Sequence, residues 1–105
     1  MTEATREGAR VDVDGRWAVL IEEQGGSGEG RDWRLTEVRD VGHDRDGAVR
    51  LAETLAREYA PKHPWSPRSR AVYRAGEGVW LVVVEGATRN FHFRVTVAEH
   101  VATIG

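Results

Sequence analysis

Residues 79–101 read VWLVVVEGATRNFHFRVTVAEHV, and this stretch decides the fold. Two runs of β-branched and aromatic residues flank a turn-forming segment at residues 86–90, the signature of a hairpin. With a tight turn, Val84 is expected opposite Phe91. Just upstream, residues 70–74 (RAVYR) read as a short strand, turned by Ala75-Gly76-Glu77-Gly78 so that Tyr73 is expected opposite Trp80. The result is a three-stranded meander with two readable faces. One carries Ala71, Tyr73, Trp80, Val82, Val84, Phe91, Phe93, Val95 and Val97 and is almost wholly apolar. The other carries Arg70, Val72, Arg74, Val79, Leu81, Val83, His92, Arg94, Thr96 and His100.

Outward from the meander, Ala48, Leu51, Ala52, Leu55 and Tyr59 fall at helical spacing and form one stripe. Asp44 or Asp46 is placed to cap the first turn, and Pro61 stops the helix near Tyr59 or Ala60. Arg50, Glu53 and Arg57 are spaced for ion pairs on its wet side. Residues 17–22 (WAVLIE) alternate Trp17, Val19 and Ile21 against Ala18 and Leu20. A glycine-rich loop separates them from a return strand at residues 33–41 (WRLTEVRDV). The phase of that strand slips between Leu35 and Val38, which calls for a bulge near Thr36–Glu37. Residues 61–69 hold all three prolines and serve as a stiff connector. Residues 1–12 are charged and aperiodic, so a disordered tail is expected there, with Asp14-Gly15 turning the chain into the first strand. Residues 102–105 are expected to fray.

The fold class is therefore α+β: the order β-β-α-β-β-β, a mostly antiparallel five-stranded sheet with one helix packed on one face. At 105 residues the chain suits one domain, spanning residues 13–105 after the tail. No apolar run approaches the ~20 residues of a membrane helix. The N-terminal MTEATREGAR lacks the apolar segment of a secretion signal. Cysteine is absent, so there is neither a disulfide framework nor a thiolate site. These features point to a cytoplasmic protein. The net charge of −2 exerts no global pull towards nucleic acid. Lys62 is the one lysine among 15 basic residues, the codon habit of a GC-rich bacterial genome, which weakens any argument from arginine content.

The candidate chemical motifs each have a plainer explanation. The loop GGSGEG at residues 25–30 leads into a strand, lacks a Gly-Lys-Ser/Thr ending and is surrounded by carboxylates, so it does not suit phosphate. Glu29 also breaks the nucleophile-elbow pattern. Asp40, His43, Asp44 and Asp46 cluster ahead of the helix, but their spacing fits no calcium loop, and capping accounts for the last two. His92 and His100 share a face yet stand ~26 Å apart at strand rise, too far to share an ion. No pair of side chains is singled out for acid–base work. No catalytic residue, metal or cofactor is expected. Trp17, Trp33 and Trp80 occupy strand positions that suit a core, and Trp65 lies in the connector.

Function is then sought on the second sheet face. Val72, Val79, Leu81 and Val83 form an apolar centre there, with Arg70, Arg74, His92 and Arg94 around it. An apolar sheet face of this kind is covered by something. The first hairpin or the connector folding over it is one reading, and a second copy of the chain is another. The leading expectation is a small non-catalytic bacterial interaction or regulatory protein, a homodimer acting through protein–protein contacts. The alternatives are a nucleic-acid-binding regulator using Lys62, Arg68, Arg70, Arg74 and Arg94, and a small-ligand module with a pocket between helix and sheet.

Overall fold

The structure, a computed structural model, describes residues 10–24, 32–60, 67–87 and 90–105, with residues 10–14 as backbone only. The elements are β1 (Arg10–Gln24), β2 (Trp33–Gly42), α1 (Arg45–Glu58), β3 (Pro67–Gly76), β4 (Val79–Gly86) and β5 (Asn90–Ile104). All strands form one antiparallel sheet in the order β2-β1-β5-β4-β3. The first hairpin does not fold over the sheet. It extends it, because β1 pairs with β5 along Val19↔Val97 and Ile21↔Val95.

The helix lies on one face and touches all five strands. Asp44 caps it, its carboxylate accepting from the Gly47 N–H at 2.8 Å. The buried stripe is Ala48, Ala52, Leu55 and Ala56, and the three alanines let the helix settle close to the sheet. Against it lie Val19, Ile21, Trp80, Val82, Val84, Phe93 and Val95, all buried. No polar or charged residue is buried among the described residues. The shortest dimension of the molecule is 20 Å, which accommodates one sheet and one helical layer.

The β4–β5 register is the expected one, with Val84 opposite Phe91, Val82 opposite Phe93 and Trp80 opposite Val95. The bulge in β2 is where the slipped phase places it: Ile21 pairs Glu37 and Glu22 pairs Leu35, leaving Thr36 over. The register of β3 differs from expectation by one residue. Tyr73 pairs Leu81, and Arg74 rather than Tyr73 pairs Trp80. Gly76 closes directly on Val79 and Ala75 is left over as a bulge, which exchanges the faces of the whole strand. Arg70, Val72 and Arg74 therefore stand on the helix side, and Ala71 and Tyr73 on the other.

The chain ends also differ from expectation. Arg10, Val11 and Asp12 pair with Ile104, Thr103 and Ala102, so the last three residues of the expected tail and three of the four expected to fray form a ladder. Residues 1–9 lie outside the described residues. Asp14-Gly15 does not start the first strand but lies within β1, in a bulge, with Gly15 at φ +67°.

Gly78 turns β3 into β4 at φ +74°, and a Cβ there would stand 3.4 Å from Val97 Cβ. Its carbonyl accepts from the Val97 N–H at 2.8 Å, tying the turn to β5. Gly78→Ala is expected to cost ~1–2 kcal/mol in urea unfolding, because the residue combines a left-handed backbone with a close neighbour.

Candidate functional site

β4 is apolar without interruption from Val79 to Val84, and its side chains alternate between the two faces. Trp80, Val82 and Val84 are buried under the helix. Val79, Leu81 and Val83 point the other way and are half-buried by their neighbours within the sheet. Continuous apolar runs belong to strands covered on both faces, whereas a strand with one wet face alternates apolar and polar residues. Among the described residues, nothing lies over the second face.

That open face runs across all five strands. From β2 it receives Trp33, Leu35 and Val38, all brought to one side because the Thr36 bulge reverses the parity between Leu35 and Val38. β1 contributes Ala18 and Leu20, β5 His92, Thr96 and Ala98, and β3 Tyr73. Leu35, Val38 and Tyr73 are each 56% exposed, so covering them would contribute on the order of 1 kcal/mol apiece. Trp33 was expected in the core; it sits on the open face, 36% exposed, because the pairing Gln24↔Trp33 turns it from the helix.

Two cations on this face are paired with carboxylates, and Glu85 at its edge accepts from Ser69 Oγ at 3.0 Å. Arg94 Nε donates to Glu22 Oε1 at 2.9 Å, and the guanidinium lies 4.7 Å from the centre of the Trp33 ring. Towards the other end, Arg16 donates to Asp40 Oδ2 at 2.8 Å. That bond, with a second from the Gly42 N–H, holds the Asp40 carboxyl below the usual carboxylate range. The face thus holds two apolar groups, Val79, Leu81 and Val83 on β4 and Leu20, Leu35 and Val38 on β1 and β2, with His92, Arg94 and Thr96 of the central strand β5 between them.

Of the residues expected at an interface, Val79, Leu81, Val83, His92 and Arg94 share the open face. Val72, Arg70 and Arg74 do not, for the register reason given above. Arg70 has a structural task. Its Nη1 donates to Ala56 O at 3.1 Å and its Nη2 to Tyr59 O at 2.7 Å, so the guanidinium closes the C-terminal end of α1. It also stands 5.6 Å from the centre of the Phe93 ring. Burial lowers its pKa. The basic residues proposed for nucleic acid are therefore dispersed: Arg70 and Arg74 on the helix side, Arg94 on the open face and offset by Glu22. Lys62 and the rest of residues 61–66, Trp65 included, lie outside the described residues, as does the glycine-rich loop at 25–31.

Tyr59 secures the same end of the helix. Its hydroxyl donates to Glu23 Oε2 at 2.5 Å, and Thr36 Oγ1 donates to that oxygen at 3.1 Å. Burial first, and the Glu23 carboxylate next, push the Tyr59 phenol up to about 12. At the other end of α1, Arg45 lies 5.3 Å from the centre of the Trp17 ring. The acidic cluster ahead of the helix is also engaged: Asp40 with Arg16, Asp44 in the cap, and His43 Nδ1 3.1 Å from Gly15 O. Among the described residues no three acidic or histidine side chains converge as metal ligands. An open cleft of about 320 Å³ between helix and sheet is lined by Glu53, Arg57, Val72, Arg74 and Trp80. Its Arg57 is held by Glu53 at 3.2 Å.

No family model, curated protein or solved structure matches the chain. Function is therefore argued from the surface alone.

The open face was half legible. Its β4 and β5 members follow from alternation. Its β1 and β2 members were missed because the strand order was left open and one reading folded that hairpin over the face, although Ala18 and Leu20 already stood opposite the core residues of β1.

Two outcomes follow. Arg70→Ala should cost ~2 kcal/mol in urea unfolding, the scale of charged hydrogen bonds lost from helix-end carbonyls, with Arg70→Lys intermediate. In a spectrophotometric titration, Tyr59 should ionise at about 12 in the folded protein. Because the folded value is raised, its contribution to stability is complete below the ordinary tyrosine pKa of about 10 and is lost as pH rises towards 12. Tyr59→Phe should remove that pH dependence.

Proposed function

We propose that this chain is a non-catalytic interaction module of the bacterial cytoplasm that works as a homodimer, two copies packing sheet on sheet through the open face. The observation that carries this reading is the run Val79–Val84, apolar on both sides while one side alone is covered. A second sheet at the usual separation of about 10 Å would complete the sandwich.

The dimensions and the charges support the same occupant. Five strands at about 4.8 Å, and some eight residues at about 3.3 Å along each, give a face of about 600 Å² in projection. Side-chain relief raises the accessible area towards the ~800 Å² per partner of a standard interface. Two copies of a surface whose ion pairs are internally matched meet without like-charge repulsion, a condition that self-association imposes and that a phosphate backbone does not. Val79, Leu81 and Val83 form one apolar group and Leu20 and Val38 a second, on either side of Arg94 and His92 of the central strand. Trp33 and Tyr73 stand on the two edge strands. Tyrosine, tryptophan and arginine are residues that interfaces favour.

Multi-angle light scattering at micromolar concentration should return twice the 11.7 kDa chain mass. Leu81→Asp should convert the protein to monomer. Leu35→Lys provides a second variant at a 56% exposed position, where an isolated chain would tolerate the change within about 0.5 kcal/mol. It should weaken the dimer while leaving the far-ultraviolet circular dichroism intact. A wild-type protein that stays monomeric at 100 µM (about five times the concentration of an ordinary measurement), or a Leu81→Asp variant that remains dimeric, contradicts the proposal.

A further inference from the structure

β3 is an end strand of the sheet, so among the described residues one row of its N–H and C=O groups has no strand beside it. The two edges of the sheet are not alike. β2 is broken by bulges at Thr36 and Val41, and its longest regular run is the four residues Glu37 to Asp40. β3 pairs with β4 without interruption from Ser69 to Arg74, six residues or about 20 Å of regular edge. Arg68 and Ala75, left over in the pairing, mark the two ends of that run. The run is also held in place. Arg70 binds the Ala56 and Tyr59 carbonyls, which fastens β3 to the end of the helix. An edge fixed in advance loses little further freedom when a strand is added to it.

The open cleft of about 320 Å³ lies beside the same strand. Val72 and Arg74 of β3 line it from the sheet with Trp80 of β4, and Glu53 and Arg57 line it from the helix. Its charges are not balanced. Arg57 is held by Glu53 at 3.2 Å, whereas Arg74 is exposed and, among the described residues, is paired with no carboxylate. One positive charge is left over. Side chains of a strand added next to β3 alternate between the two faces, so every second one comes to the helix side, next to Val72 and Arg74.

We propose that this edge receives an extended acidic segment of another protein, which adds a sixth strand beyond β3 and sets a carboxylate side chain against Arg74 in the cleft. Main-chain pairing supplies the affinity and the cleft supplies the selectivity, as in other cases of strand addition. Charge decides between occupants. A second copy of β3 is disfavoured. Centred on Val72, an antiparallel pair of two such strands sets Arg70 opposite Arg74 twice, and centred on Ala71 it brings Arg74 against Arg68. A segment with carboxylates at alternate positions meets the same arginines with the opposite sign. The added strand occupies the edge and the helix side, so it is independent of whether the open face pairs with a second copy.

The test is a titration of the full chain, followed by amide chemical shifts, with a capped peptide of alternating glutamate and valine. A peptide of alternating lysine and valine is its control. The acidic peptide should shift the amides of residues 69–74, and the basic one should not bind. Arg74→Glu, at an exposed position, should weaken the acidic peptide about tenfold, the scale of one charge-assisted hydrogen bond, and should admit the basic one. Methylating one alternate set of the peptide's amide nitrogens should abolish binding, while methylating the other set should not, because only one set faces β3. Charge attraction without strand pairing would not distinguish the two sets. No binding of the acidic peptide at about 1 mM, a dissociation constant in the millimolar range being the weakest that such pairing would give, overturns the proposal. So do equal binding by the Arg74→Glu variant, equal effects of the two methylated sets, or shifts confined to residues outside β3 and the cleft.

Discussion

Everything in this fold depends on the contact between one alanine-rich helical stripe and the middle of one sheet face. Ala48, Ala52 and Ala56 bring α1 down onto Val82, Phe93 and Val95, and Leu55 fills the gap between them. A helix is about 10–12 Å across with its side chains, whereas five strands span about 24 Å. One helix can therefore seal the centre of one face and no more. Its ends need separate fastening, which the chain provides with charged and aromatic groups. Arg45 stacks on Trp17 at one end, while Arg70 binds the last carbonyls and Tyr59 reaches Glu23 at the other.

The same limit governs function. A single helix leaves the opposite face of the sheet without a layer, yet the residues placed there are those of an interior: Leu20, Leu35, Val38, Val79, Leu81 and Val83. A chain selected for a wet face would carry polar side chains at these positions, at no cost to the helix side. Two ion pairs also lie on the face, Arg94 with Glu22 and Arg16 with Asp40, and Glu85 adds a carboxylate at its edge. Broad and rich in apolar side chains, such a surface suits the proposed second copy better than a polyanion.

What was legible in the sequence was what is local. The β4–β5 hairpin, the helix with its cap at Asp44, and the bulge at Thr36 each announce themselves through alternation, a helical stripe or a break in phase. The register of β3 was not legible, because Ala75-Gly76-Glu77-Gly78 offers two ways to close a turn that differ by one residue. The closure on Gly76 turned Arg70 from an expected rim residue into the clamp on the helix end. The pairing of β1 with β5 was hidden for another reason. It joins residues about 80 positions apart, and no local pattern reports which strand a hairpin will lie beside. With it went the ladder between residues 10–12 and 102–104, whose two strands read separately as part of a tail and a frayed end.

The central claim, that the open face is buried against a second copy, is tested most directly by isotope-filtered nuclear Overhauser spectroscopy on a mixture of labelled and unlabelled chains. The account predicts intermolecular contacts among the methyl groups of Leu20, Val38, Leu81 and Val83, with none from Val82 or Val84 beneath the helix. Intermolecular contacts confined to the helix side, or their absence at millimolar concentration, would contradict it.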